Sequence, residues 1–183
     1  MKEEFLKIYI DSNLISDLSK VVNFKQEEID ALEELSEDSK LKFYTSEKTK
    51  REIDKYQNLK KQGYLKFIYS WLNKIPEKNI IEFIPATFNS VAFNEATFNG
   101  GANSEDLLFT NLKQFFDKDD AEHIFQAEKN KLDYFLTLDE KTILNRIKRE
   151  PDRFKKLHLK IQIVLPSQLV NKLKSMYLPN EKI

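Results

Sequence analysis

A chain of 183 residues, 40% hydrophobic and 12% aromatic with only 3 glycines and 5 prolines, can close one core, and its composition excludes a disordered, fibrous or loop-dominated chain. It has no cysteine, which excludes disulfides and thiolate zinc sites and leaves any metal mainly to oxygen ligands. Thirty basic and 30 acidic residues cancel, yet residues 141–174 carry ten Lys or Arg against Glu150 and Asp152, while residues 27–38 hold seven acids and no base.

A basic segment of that kind can meet phosphates, although solvated helix faces are the plainer explanation on charge alone. The first residues, Met1 to Phe5, lack a basic-then-apolar export pattern, and no apolar run approaches the roughly 20 residues of a membrane span. A soluble, cytoplasmic, single-domain protein over residues 1–183, with no membrane partner, is expected.

In chain order, Lys7 to Ile10 predicts a short strand stopped by Asp11-Ser12-Asn13, followed by helical sequence. Ile29, Leu32 and Leu35 lie at helical spacing within the acid run. Leu41 to Tyr44 predicts a second strand. Thr45 or Ser46 then caps a helix with Thr49, Ile53, Tyr56 and Leu59 on one stripe, Gly63 interrupts it, and Gly63 to Ile75 continues as an apolar helical segment stopped by Pro76. Asn79 to Ile84 is a further strand candidate. Phe88-Asn89, Phe93-Asn94 and Phe98-Asn99 recur every five residues, which fits neither the strand nor the helix period. Such rings can stack on bases; an insertion folded over the core is the plainer explanation.

Ser104 is expected to cap a helix through Phe116 with Leu107, Leu108 and Leu112 inward, and another helix starts near Asp119-Asp120. Tyr134 to Thr137 predicts a strand, Thr142 to Ile147 a helix, Lys160 to Leu165 a strand, and Pro166 opens the last helix. Strands alternating with helices imply an α/β fold of three layers, α/β/α, around a mainly parallel sheet of four or five strands.

In such sheets functional groups collect beyond the carboxyl ends of the strands, where Asp11 and Asp139 fall. Glu52 lies at the border of its helix's buried stripe, whereas Glu47, Lys48, Lys50 and Arg51 fall on the polar side. Asp120 is tied by Ile124 and Ala127 to an inward face. Any one of these acids alone reads as a turn former or cap. Together, Asp11, Glu52, Asp120 and Asp139 could converge into a pocket whose repulsion a hard cation, Mg2+ or Mn2+, would relieve.

The order "KIYIDSN", "TSEKTKRE", "DDAEHIFQAEKNKLDYFLTLD" and "KIQIVLPSQLV" resembles the PIN-domain nucleases. Their pattern falls on Asp11, Asn13, Ser46, Glu52, Asp120, His123, Thr137, Asp139 and Pro166, and residues 54–118, which include the Phe-Asn repeat, form an enlarged middle segment. The resemblance implies metal-dependent hydrolysis of RNA phosphodiester bonds leaving a 5′-phosphate and a 3′-hydroxyl. Asp11, Asp120 and Asp139 would be ligands, Glu52 a ligand or general base, and Asn13 and Thr137 would orient carboxylates. His123 could bond a carboxylate or position a phosphate; a packed, satisfied histidine is the plainer reading. Asp133, at the opposite end of its strand, reads as structural.

Lys141, Arg146, Lys148 and Arg149 are the expected RNA backbone contacts. Many such nucleases are toxins blocked by an antitoxin, and small ones often pair, for which an apolar face on residues 63–75 would serve. A receiver domain would need two adjacent acids after the first strand, and a haloacid-dehalogenase-like phosphatase would need a second Asp at Asn13. The remaining alternative is an inactive PIN-like module that binds RNA or protein.

Overall fold

The structure, a computed structural model, describes residues 5–18, 25–80 and 104–177. The Phe-Asn repeat, residues 88–99, lies outside the described residues. The chain forms β1 (Leu6–Ile10), α1 (Ser12–Leu18), α2 (Gln26–Glu37), β2 (Leu41–Thr45), α3 (Glu47–Asp54), α4 (Leu59–Trp71) and β3 (Asn73–Lys74). After these come α5 (Ser104–Phe115), α6 (Lys118–Lys129), β4 (Tyr134–Leu136), a π-helical turn over Glu140–Leu144, α7 (Asn145–Arg149), α8 (Pro151–Lys155), β5 (Gln162–Val164) and α9 (Pro166–Tyr177). The sheet is parallel throughout, in the order β3-β2-β1-β4-β5.

Side-chain alternation along the central strands builds both outer layers. Ile8 and Ile10 of β1 share one face with Tyr134 and Leu136 of β4, and pack with Leu14 and Ile15 of α1, Leu35 of α2, Ile53 of α3, Leu65 of α4 and Leu169 of α9. Tyr9 and Phe135 point the other way, among Phe109 and Leu112 of α5 and Ile124 and Phe125 of α6. Strands buried on both faces read as continuous apolar runs, which is why "KIYI" and "YFL" stand out in the sequence. The three-layer α/β/α arrangement follows directly.

Several boundaries differ from the sequence expectation. The stripe from Thr49 to Leu59 is broken: α3 ends at Asp54, and α4 starts afresh under Asn58, whose Oδ1 accepts the Lys61 amide at 3.0 Å. Leu59 is consequently exposed. Gly63 sits inside α4 without interrupting it, on an open face where a Cβ would meet nothing. Ile75 is not helical; its amide donates to Thr45 O at 2.9 Å, and the strand paired to β2 is Asn73–Lys74. That two-residue strand has exposed side chains and is held by its backbone and by Asn73 Nδ2, which donates to Phe43 O at 2.9 Å, so no apolar pattern announces it. Asn79 and Ile80 belong to no strand, and residues 81–84 lie outside the described residues.

The start of the Lys160 strand moves to Gln162, because Glu128 Oε2 takes the amides of Lys160 and Ile161 at 3.0 and 2.9 Å in place of a neighbouring strand. Leu107 is exposed, since the inward phase of α5 runs through Phe109 and Leu112. Lys48, expected on the polar side of α3, is buried. Glu28, in the acid run of α2, is also buried, and its carboxylate accepts the Ser167 amide (2.9 Å) and hydroxyl (2.7 Å) at the first turn of α9. Asp133 accepts the Lys7 amide at 2.7 Å at the amino end of the sheet, a structural contact.

Candidate active site

The order β3-β2-β1-β4-β5 reverses direction between β1 and β4. At such a switch point the following segments leave on opposite sides and open a crevice at the carboxyl edge. Asp11 leaves β1 there, Thr137 and Asp139 leave β4, α3 carries Glu52 away from β2, and α6 presents Asp120 in its first turn. The parallel register sets Ile10 beside Leu136, so the residues just beyond them meet.

Thr137 joins them. Its hydroxyl donates to Asp11 Oδ2 at 2.8 Å and accepts the Asp139 amide at 3.1 Å. Asp11 is 1% exposed, and its other oxygen, Oδ1, has no hydrogen-bond partner among the described residues. Burial raises the pKa of Asp11, and the charge of Glu52 adds to this; His123, Thr137 and the amide of Asn13 oppose it. Asp139 accepts the amide and hydroxyl of Thr142 at 2.7 and 2.6 Å, capping the π-helical turn that follows. Its carboxylate is therefore partly committed to shaping its own loop.

Asp120 has the opposite character. Burial, followed by the charges of Asp11, Asp139 and Asp117, pushes it up to about 7, with His123 the opposing influence. An acid whose nearest charges are mostly acids holds its proton until a cation arrives.

Glu52 is held down instead. Burial alone would raise it, but His123, the Ser12 hydroxyl and Lys48 outweigh that and leave it at about 2. His123 Nε2 lies 3.1 Å from both carboxylate oxygens, and Lys48 Nζ lies 3.3 Å from one of them. On the other side of the ring, Nδ1 is 2.7 Å from the Tyr9 hydroxyl, itself 2.7 Å from Ser46 Oγ. Tyr9 is fully buried and its phenol is raised, chiefly by that burial, so it stays protonated. The histidine is thus packed and satisfied, and it also bonds a carboxylate. Burial opposes its protonation, yet Glu52 and Asp11 prevail and raise its pKa.

Two cavities flank this edge. One, about 310 Å³, is lined by Ser12, Asn13, Glu52 and Asp119. The other, about 340 Å³, is lined by Asp117, Lys141, Thr142, Arg146, Arg149 and Glu150. Lys141, Arg146 and Arg149 therefore gather beside the Asp139 loop, with Arg146 5.5 Å from the Phe115 ring. Lys148 is exposed and does not line that cavity. A larger cavity, about 900 Å³, opens at the amino ends of the strands around Asp133 and His158, away from these acids.

Sequence reasoning missed Tyr9, Lys48 and Ser12. Lys48 alone left a signal, at four residues before Glu52. No family model, characterised protein or solved structure matches this chain. In kind, the donors suit a hard cation: carboxylates, one with an orphaned buried oxygen. In number they are few, since among the described residues no three His, Asp or Glu side chains are close enough to hold an ion by themselves. Mg2+ commonly takes only one or two carboxylates and fills its shell with water and substrate phosphate.

Proposed function

We propose that the chain is a divalent-metal-dependent ribonuclease, hydrolysing RNA phosphodiester bonds at the edge formed by Asp11, Asp120 and Asp139, in the manner of the PIN-domain nucleases its motifs resemble. The observation that supports this most is Asp11: a buried carboxylate at the switch point of a parallel sheet, one oxygen fixed by Thr137 and the other without a partner among the described residues. Beside it, the charges acting on Asp120 are mostly negative, from Asp11, Asp139 and Asp117, with His123 opposing them.

Mg2+ or Mn2+ at this edge would take one or two of the carboxylates of Asp11, Asp120 and Asp139, with water and substrate phosphate completing its shell. Such an ion, when bound, lowers the pKa of a coordinated water and offsets charge on the phosphate. Hydrolysis would join the water oxygen to phosphorus as the bond from phosphorus to the 3′ oxygen breaks, with a proton lost by the water and one gained by that oxygen, giving a 5′-phosphate and a 3′-hydroxyl. Thr137 sets the angle of Asp11, and Asn13, beside it at the start of α1, supports the same carboxylate through its amide. Glu52, at about 2, is a poor proton acceptor at neutral pH, so its part is to hold His123. Lys141, Arg146 and Arg149 take the neighbouring backbone phosphates of the RNA.

Partners other than RNA would meet the exposed rings of α4, Phe67 and Trp71, whose centroids are 5.7 Å apart; a second copy or, if the chain acts as a toxin, an antitoxin are the candidates. The described residues contain no helix long and apolar enough to cross a membrane, which is compatible with a cytoplasmic role. The test is cleavage of end-labelled RNA with Mn2+ by wild type and Asp120→Asn. Loss in the variant is expected; equal cleavage by both would end the proposal.

A second reading, an inactive module that holds RNA or protein, draws on the engagement of both Glu52 oxygens by His123. Thermal unfolding with and without Mn2+ separates the two, because a cation that binds only the folded state raises its stability by mass action.

A further inference from the structure

Of the six large apolar side chains exposed among the described residues, four stand on one helix: Leu59, Tyr64, Phe67 and Trp71 of α4. We propose that this face is where a second copy of the chain docks, α4 against α4 in antiparallel sense about a two-fold axis, with Lys60 of each copy over the partner's Trp71. The pairing is independent of the chemistry at the sheet edge.

Lys60, Tyr64, Phe67 and Trp71 are spaced by four, three and four residues, which sets them in one row along the helix. The row faces away from Leu65 and Tyr69, which are buried against the core. Gly63 lies beside it, where a Cβ would meet nothing, so another helix can come close. Phe67 and Trp71 already pack edge to face, 5.7 Å between centroids. The midpoint of the row falls between Leu65 and Lys66. Turned end for end, it therefore sets Tyr64 on the partner's Phe67 and Lys60 on the partner's Trp71. Both matches are favourable: two rings bury each other, and an ammonium group meets the face of an indole. A parallel pair would set Lys60 beside the partner's Lys60, whereas the antiparallel pair holds the two about 16 Å apart, beyond the screening length at physiological salt.

The other lysines nearby are engaged within the chain. Lys66 Nζ is 2.7 Å from Asp54, Lys61 lies over the Tyr56 ring at 4.3 Å, and Lys74 bonds to backbone carbonyls. α4 holds no acid, and Lys60 has no partner among the described residues. One cation among three rings suits a partner that offers an aromatic face, which the chain itself carries. Tyr64 is 47% exposed, Phe67 59% and Trp71 75%. At about 150 to 250 Å² for a whole aromatic side chain, these rings, with Leu59 and the Lys60 stem, would cover about 1,000 Å² over two copies, the least that a specific interface needs.

Sedimentation equilibrium of the full chain, together with the emission of Trp71, the only tryptophan, tests this. An interface of this size predicts a dimer that dissociates on dilution between about 100 and 1 µM, with Trp71 emission moving to longer wavelength over the same range. Phe67→Glu should weaken the dimer by about 30-fold or more. Because the chain has no cysteine, oxidation can read the register. A concentrated mixture of Lys60→Cys and Trp71→Cys should form a disulfide-linked pair. Either variant alone should not, its two thiols lying about 16 Å apart when a disulfide needs Cα atoms within about 7 Å. A chain still monomeric at about 500 µM, or a dimer that Phe67→Glu leaves intact, would overturn the proposal and leave the face to a different protein. No linkage in the mixture, or linkage in either variant alone, would overturn the antiparallel register.

Discussion

The Thr137 hydroxyl stands 2.8 Å from Asp11 Oδ2, bridging two strand ends that lie 126 positions apart in the chain. Thr137→Val keeps the shape and removes the bridge, leaving a buried carboxylate oxygen and the Asp139 amide without their partner. An unsatisfied buried group costs about 1 to 3 kcal/mol, more when charged. Urea unfolding should therefore place Thr137→Val about 2 kcal/mol or more below wild type, with Thr137→Ser recovering most of the loss. A neutral Val substitution would show the bridge to be idle.

Asp120 makes stability fall with rising pH. An acid whose folded pKa exceeds its unfolded value binds its proton more tightly when folded, so its contribution is fullest below the ordinary value of 3.8 and is lost as pH rises through about 7. Asp120→Asn should remove this slope. Its advantage over wild type should be absent near pH 4 and grow to about 1 to 2 kcal/mol by pH 8, once partial solvent screening is allowed for. Parallel stability curves for the two proteins between those pH values would refute it.

Tyr9→Phe tests the chain from Ser46 to Glu52. The ring would keep its stacking on Phe135, whose centroid is 5.3 Å away, but Ser46 Oγ and His123 Nδ1 would lose the hydroxyl they share. A destabilisation of about 1 to 2 kcal/mol is expected. Imidazole NMR should show Glu52→Gln lowering the titration point of His123, because Glu52 is the chief influence raising it. An unmoved titration would mean that the pair is not coupled.

The basic cavity and the exposed Lys148 give different expectations for RNA. With a short single-stranded RNA and no divalent ion, Lys141→Ala and Arg149→Ala should each weaken binding and lower the dependence of log K on log salt by about 0.7. Lys148→Ala should change neither by as much. Equal effects from all three would indicate diffuse attraction without a cavity.

What could be read from the sequence follows the physics of each part. β1 and β4 are buried on both sides, so composition alone reveals them, and an Asp at the end of each is readable as a site by position. β3 leaves no apolar pattern, since it pairs through backbone groups that every residue has and through one polar side chain, Asn73, on Phe43 O. Lys48 was misplaced because helical phase marks it as polar, and its burial is tolerable through Glu52 one turn along and the α6 carboxylates of Asp119, 71 positions away, and Glu122. Glu52 was located by phase, but its low proton affinity comes from His123 and Lys48 packed against it, a tertiary property. The Ser46–Tyr9–His123 relay escaped for a similar reason: a tyrosine inside a β-run looks like core until the groups around its hydroxyl are known.

The Glu28 contact with Ser167 reaches across 139 positions. A helix start normally finds its acceptor nearby, so the opening turn of α9 is unusual in depending on a carboxylate from a remote segment. Closing so long a loop is entropically slow and gains nothing until both partners have arrived. α2 and α9 should consequently come apart together, as one cooperative unit whose amides exchange at a common rate, rather than fray one after the other.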